Sequence, residues 1–242
     1  MTRKRAKNAL MTTSTAHSES GSTSRSISHR KKTTVLFDLD GTLTDPKEGI
    51  TRSMQYALEK FGADIPTRDE LTWCIGPPLR ENFERLLDAE RAPQAVIHYR
   101  ERFGKVGLFE NECYPEIHEV LSQLQDSGLR LFVASSKAEI YVRRILERFE
   151  LIDFFEGVFG AELDGTREDK SDLLRFALSE ARIDPANATM VGDRKHDILG
   201  AAKNGISTIG VLYGYGTLEE LTEAGAHRLV HTVDELLPLL RP

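Results

Sequence analysis

Cysteine is nearly absent from this 242-residue chain: only Cys74 and Cys113 occur, in neither a disulfide framework nor a Cys-x-x-Cys metal pattern. A disulfide-stapled scaffold is therefore excluded, and both thiols read as buried or idle. Long apolar runs are missing too. No stretch approaches the roughly 18–20 uninterrupted apolar residues that cross a bilayer, and the first residues lack the apolar segment of a secretory signal. The cytoplasm is the expected compartment. Acidic residues are scarce in one place only: residues 1–32 hold eight Lys or Arg against the single acid Glu19, a balance of +7, so the overall charge of −6 leaves −13 for the remainder. This Ser-rich, basic leader has too few apolar side chains to offset the entropy of ordering it, and disorder is the expectation. It has no interleaved aromatic and no clear amphipathic stripe, so no nucleic-acid or organelle-targeting role is read into it.

What is present suffices for one sizeable domain, or a domain carrying a smaller inserted one, at 40% hydrophobic and 29% charged content. From Thr33 onward, Thr33-Thr34-Val35-Leu36-Phe37 reads as a strand buried on both faces. Similar runs recur at Leu131-Phe132-Val133-Ala134, Val158-Phe159, Thr189-Met190-Val191 and Thr208 to Leu212, with helical spacing between most of them. Strands alternating with helices imply an α/β fold with a parallel sheet. After Ser136, Ile140, Ile145, Leu146 and Phe149 share one helical face; after Ser171, Leu173, Leu174, Ala177 and Leu178 do so, the two serines being candidate N-caps. Thr217-x-x-Glu220 fits a reciprocal capping arrangement.

The first strand is not followed by an ordinary crossover. Residues 48–112 read as almost entirely helical, with Ile50, Met54, Ala57, Leu58 and Phe61 in helical period, a Gly76-Pro77-Pro78 breaker, then Leu79, Phe83, Leu86 and Leu87. That length predicts an inserted helical domain, leaving 33–47 and 113–242 as the core.

Asp38 and Asp40 flank Leu39 where the first strand ends, and alternation aims both carboxylates to one side. Ligand sites of open parallel sheets lie at this end. Two acids so close repel each other, so holding both ionised calls for a cation. Gly192-Asp193 follows a second buried run, and Asp197 comes one helical turn later. Carboxylates converging from separate strand ends suit a hard, oxygen-preferring ion such as Mg2+. Such an ion would neutralise a carboxylate nucleophile together with a phosphate. Ser135 offers a hydroxyl at a strand end, and Lys170 a positive charge. Each element alone is a weak signal, because Asp-x-Asp also occurs in calcium sites, strand-terminal serines cap helices and most lysines face solvent. Their order at successive strand ends is what carries the reading.

Asp38-Leu39-Asp40-Gly41-Thr42-Leu43, Ser135, Lys170 and Gly192-Asp193 with Asp197 resemble the four motifs of the haloacid dehalogenase superfamily. The resemblance covers everything after about residue 33, and the helical insertion is similar to the cap of the phosphoglycolate phosphatase-like branch. It implies a Rossmann-like sheet flanked by helices with an all-helical cap. Asp38 would be the nucleophile, and Asp40 the acid and base. Asp38, Asp40 (through its backbone carbonyl), Asp193 and Asp197 would hold Mg2+, and Gly41, Thr42, Ser135, Ser136 and Lys170 would bind phosphate. Ile75-Gly76-Pro77-Pro78-Leu79, Glu162 to Arg167, Val191 to Asp197 and Leu212 to Gly216 resemble a subgroup called 5′-nucleotidases or, loosely, phosphoglycolate phosphatases. The leader departs from that pattern, and a misassigned start site explains it as well as a function does.

The expected activity is hydrolysis of a small phosphate ester, nucleoside 5′-monophosphates first, with 2-phosphoglycolate or a sugar phosphate as alternatives. A sugar-phosphate mutase and an inactive binding module on the same fold stay open. A hydrolytic dehalogenase would not need Asp40 or the metal cluster, and a Schiff-base phosphonatase would need a cap lysine, which residues 61–104 lack. Arg80 is a candidate contact for a substrate anion, and Tyr213 and Tyr215 either flank the entrance or pack. A monomer or homodimer is expected, without membrane or nucleic-acid partners.

Overall fold

The computed structural model describes residues 33–241. The leader, where composition predicts disorder, and Pro242 lie outside them. Thr34–Phe37 forms β1 with every residue buried, as its β-branched and aromatic content favours. Next come β2 (Thr44–Asp45), α1 (Lys47–Glu59), α2 (Leu79–Leu86), α3 (Ala92–Phe103) and β3 (Glu112–Cys113). The alternating remainder supplies α4 (Ile117–Asp126), β4 (Arg130–Ala138), α5 (Glu139–Arg148), β5 (Gly157–Ala161), α6 (Lys170–Glu180) and β6 (Ala188–Gly192). It closes with α7 (Lys195–Lys203), β7 (Ser207–Val211), α8 (Leu218–Glu223), β8 (Arg228–Val230) and α9 (Leu236–Leu240).

Among the described residues, six strands form one parallel sheet in the order β5-β4-β1-β6-β7-β8. Phe37 of β1 lies level with Val133 of β4 on one side and Val191 of β6 on the other. The chain builds outward from β1 first toward β5 and then toward β8, so β1 marks the switch point where parallel sheets open a crevice. Residues just past Phe37, Val133 and Val191 therefore meet there. Apolar residues fill both faces: Val35, Phe37, Leu131 and Val133 on one, Leu36, Phe132, Leu173 and Met190 on the other. Each such side chain, fully buried, contributes about 1.5–3 kcal/mol.

Local readings needed correction where side-chain pattern and backbone pairing compete. The spacing predicts a helix after Ser136, yet β4 continues to Ala138, with a register shift against β5 between Ser135 and Ala138. Ile140 is consequently 55% exposed, and Val142 joins Ile145 and Leu146 on the buried face. The cap of α6 is Asp169, whose carboxylate accepts the N–H groups of Ser171 and Asp172, so Ser171 is a helix residue and not its cap. Thr217 does accept the Glu220 N–H at 3.1 Å, but the Glu220 carboxylate turns to Arg194 and Lys195 instead of back to Thr217.

Between β2 and β3 the helices pack on one another, α1 on α3 and α3 on α2, around Met54, Ala57, Phe83, Tyr99 and Phe103. This stretch contains less helix than the sequence suggests, since residues 60–78 are turns, extended chain and one 3-10 turn, Thr72–Cys74. Its two ends are joined by an antiparallel ribbon, Thr44 opposite Cys113 and Asp45 opposite Glu112. Among the described residues no helix is long and apolar enough to cross a membrane.

Candidate active site

Asp38 follows β1 directly, and its backbone N–H donates to the Val191 carbonyl at 2.9 Å, so sheet pairing holds it beside β6. Asp193 follows β6, and Asp197 sits on the first turn of α7, where one carboxylate oxygen accepts the Arg194 N–H at 3.1 Å. The three carboxylates are buried, with one oxygen of each lying within 4.8 Å of the others. The convergence expected from the sequence is therefore present for Asp38, Asp193 and Asp197.

Glycine makes the closeness possible. Gly41 has φ +78°, and a Cβ there would collide with the Asp193 carboxylate; so would one at Gly214. Tyr215 donates its backbone N–H to Asp193 Oδ2 at 2.8 Å. The other oxygen, Asp193 Oδ1, is buried with no hydrogen-bond partner. An orphaned carboxylate oxygen inside a carboxylate triangle is costly in a bare protein. It is what a site for a hard cation requires, so these donors fit Mg2+.

Lys170, the first residue of α6, is buried with its ammonium 2.7 Å from Asp197, 3.1 Å from Asp38 and 2.9 Å from the Ala134 carbonyl. Burial pulls this lysine down, but the two carboxylates outweigh it and hold it above its ordinary value. Asp193 is pushed well above the carboxylate range by burial and by Asp197 and Asp38. Burial also raises Asp197, to about 6, against the pull of Lys170.

Asp40 is separated from this triangle. Its carboxylate is gripped by Lys137, whose Nζ lies 2.7 Å from Oδ1 and 2.6 Å from Oδ2. Burial raises Asp40 above the usual range even so, with Lys137 opposing. Gly41 donates its N–H to Thr44 at 2.7 Å and Thr42 donates its N–H to Leu39 at 3.2 Å, so both amides are spent inside the turn. The buried Thr42 hydroxyl has no partner. Ser135 is buried at the β4 edge of the site.

Asp38, Asp40, Ser135 and Ser136 face a cavity of about 70 Å³ roofed by Ile50, Cys74, Gly76 to Leu79, Tyr99 and Phe103 of the insertion. Cross-links close this roof. Arg194 donates to the Ile75 carbonyl, Arg100 to the Leu163 carbonyl at 2.5 Å and Arg144 to the Gly104 carbonyl at 3.2 Å. Arg80, the candidate anion contact, is absent from this lining. It pairs with Glu84 at 2.9 Å and borders a neighbouring cleft with Lys170 and His196. Tyr213 and Tyr215 brace rather than flank an entrance, the hydroxyl of Tyr213 donating to the Thr42 carbonyl and that of Tyr215 to Asp45.

Lys137 and Arg194 escaped the sequence reading. Lys137 lies in a stretch read as a helix start, and only the continued strand turns it toward Asp40. Arg194 opens the basic run Arg194-Lys195-His196 between Asp193 and Asp197, and nothing in that run marks which cation turns toward the insertion.

Comparison with known proteins agrees with this geometry. The model of haloacid dehalogenase-like hydrolases matches residues 35–211. A 5′-nucleotidase of Pseudomonas aeruginosa is 45% identical over 85% of this chain and 92% of its own. A tyrosine-protein kinase PtkA of Mycobacterium tuberculosis is 41% identical over 84% of this chain and 70% of its own. Among solved structures, one described as a predicted phosphatase from Clostridium acetobutylicum superposes with TM-score 0.85 at 43% identity, covering 87% of this chain and 98% of that one.

Proposed function

The chain belongs to the haloacid dehalogenase-like hydrolase family and is a phosphatase of it; from that premise we propose a Mg2+-dependent phosphomonoesterase acting on nucleoside 5′-monophosphates through an aspartyl-phosphate on Asp38. In this reading residues 48–112 are a cap on a core of 33–47 and 113–242. One observation carries it: carboxylates from two strand ends lie within 4.8 Å of one another, one oxygen buried and unpartnered.

Asp38, Asp193, Asp197 and the Asp40 backbone carbonyl would hold Mg2+, which would supply the charge neutralisation that an anionic nucleophile needs to approach an anionic ester. The protein's own groups do the rest. Asp38 attacks phosphorus as the P–O bond to the alcohol breaks, and Asp40 gives its proton to the departing oxygen. Asp40 then takes a proton from water as that water attacks the aspartyl-phosphate, which frees Asp38 and inorganic phosphate. Lys170 and the Ser135 hydroxyl hold the phosphoryl oxygens. Burial raises Asp40 above the ordinary carboxylate range, which suits a group that must carry a proton.

The cavity wall supports a nucleoside over glycolate. Tyr99, Phe103, Tyr141 and Leu79 offer flat and apolar surface, whereas the cations there are engaged, Arg100 with Leu163 and Lys137 with Asp40. At about 70 Å³ the cavity is far below the roughly 300 Å³ of small-molecule sites. Admitting a nucleoside therefore requires the helices to stand further from the sheet.

The test is a panel of nucleoside 5′-monophosphates, 2-phosphoglycolate and sugar phosphates, assayed for inorganic phosphate with Mg2+ and with EDTA. The nucleotides should have the highest kcat/KM, and EDTA should abolish turnover. A reversed ranking overturns the substrate class, and turnover unaffected by EDTA overturns the metal. Label recovered on an added tyrosine peptide, in place of free phosphate, would overturn water as the acceptor.

A further inference from the structure

Lys137 has no part in the mechanism above, although its ammonium grips the carboxylate of the proposed proton donor. Its ammonium contacts both oxygens of Asp40, at 2.7 and 2.6 Å, and the two side chains are only 8% and 10% exposed. The same ammonium lies 4.8 Å from the centre of the Phe103 ring, which comes from α3 of the insertion. Its backbone sits where β4 and β5 slip register, between Ser135 and Ala138. That slip follows the residue expected to hold phosphate. Lys137 thus joins three parts of the site: the phosphate-side strand, the acid after β1 and the aromatic wall of the insertion.

We infer that Lys137 is a positioning residue for Asp40, fixing the carboxylate at the leaving-group side of the cavity and away from the metal-capable triangle; this rests on the phosphatase reading above. A carboxylate on a short side chain turns easily about its last torsion. One ammonium bridging both oxygens removes that freedom, and packing against Phe103 fixes the ammonium in turn. The triangle of Asp38, Asp193 and Asp197 excludes the Asp40 side chain, so the acid stays available to the ester oxygen. An acid displaced by even an ångström forfeits much of its contribution, on the order of 100-fold.

A merely structural lysine would affect all substrates alike, and a lysine that binds substrate would affect KM. Lys137→Met and Lys137→Gln should each lower kcat for a nucleoside monophosphate by roughly 10- to 100-fold with KM within about threefold, and lower p-nitrophenyl phosphate turnover far less. Lys137→Arg should restore part of the loss. In an Asp40→Asn background Lys137→Met should cost nothing further, because a positioning residue has nothing left to position. A raised KM at unchanged kcat overturns the assignment, as do equal losses on both esters or fully additive losses in the double variant. Gln keeps a donor toward Asp40 and serves should the Met variant fail to fold. Absence of phosphatase activity in the unmodified protein would instead sink the function reading, so the two failures are distinguishable.

Discussion

At the strand ends the buried side chains include charges, whereas those buried inside the helical insertion are uncharged. Asp38, Asp40, Asp193, Asp197 and Lys170 are all buried around β1 and β6. In the insertion Met54, Ala57, Phe83, Tyr99 and Phe103 close on one another, and the pairs Lys47–Asp69, Arg52–Glu48 and Arg80–Glu84 stay at its surface. The two regions stand in opposite thermodynamic positions. Burying carbon stabilises by about 25 cal/mol per Å², while each buried ion carries a desolvation penalty of several kcal/mol before its partners offset it. The strand ends are therefore a place where stability is spent on chemistry, and the insertion a place where it is gained.

The largest expected effect tests the charged region. Asp38→Asn is isosteric and removes only the nucleophilic charge. It should lower kcat by about 10⁴-fold or more, with an unchanged circular dichroism spectrum. Retained turnover would move the nucleophile elsewhere.

Next comes the pH dependence of the metal-free protein. Burial holds Asp193 and Asp197 above the usual range, Asp197 at about 6 against an ordinary 3.8. The folded chain then binds protons that the unfolded chain has released, so stability without metal should rise as pH falls from above 6 toward 4. His196, held below its ordinary value by burial, opposes this once pH passes below 6.5. Asp40, raised by burial as well, adds to the gain, so the expected outcome is a net rise in stability between pH 7.5 and 5. Excess Mg2+ should flatten the trend, since the ion demands ionised carboxylates. Thermal melts with EDTA or Mg2+ decide it; a metal-free protein that loses stability over that window, with no response to Mg2+, would mean the acids are not buried together.

The smallest effect belongs to the insertion's surface. Arg80 pairs with Glu84 one turn away, with its side chain 63% exposed. Arg80→Ala should change stability by less than about 0.5 kcal/mol and kcat/KM by less than about twofold. A tenfold loss in kcat/KM would place it in substrate recognition after all.

What was legible in the sequence follows the same division. Asp38 and Asp193 each end a short buried run, so the strand that positions them also announces them, and Asp197 follows by one helical turn. The parallel order was readable from strand–helix alternation. Lys137 was not, because its orientation depends on β4 continuing past Ser136, decided by pairing with β5 and not by local pattern. Tyr99 and Phe103 are packing residues of the insertion in the structure. That they also roof the cavity depends on how the insertion folds back, which no spacing encodes. Ile140 shows the limit of periodicity, since shifting the helix start to Glu139 moves the buried face onto Val142.

The ribbon of Thr44–Asp45 with Glu112–Cys113 has a consequence of its own. Because the chain enters and leaves the insertion at this one pair of rungs, the distance it must span there is fixed whatever lies between. Closing such an excursion depends only logarithmically on its length, about 0.6 kcal/mol for each doubling. The doorway is thus indifferent to its contents: segments could be lengthened, shortened or exchanged between these rungs while the strands beneath keep their register.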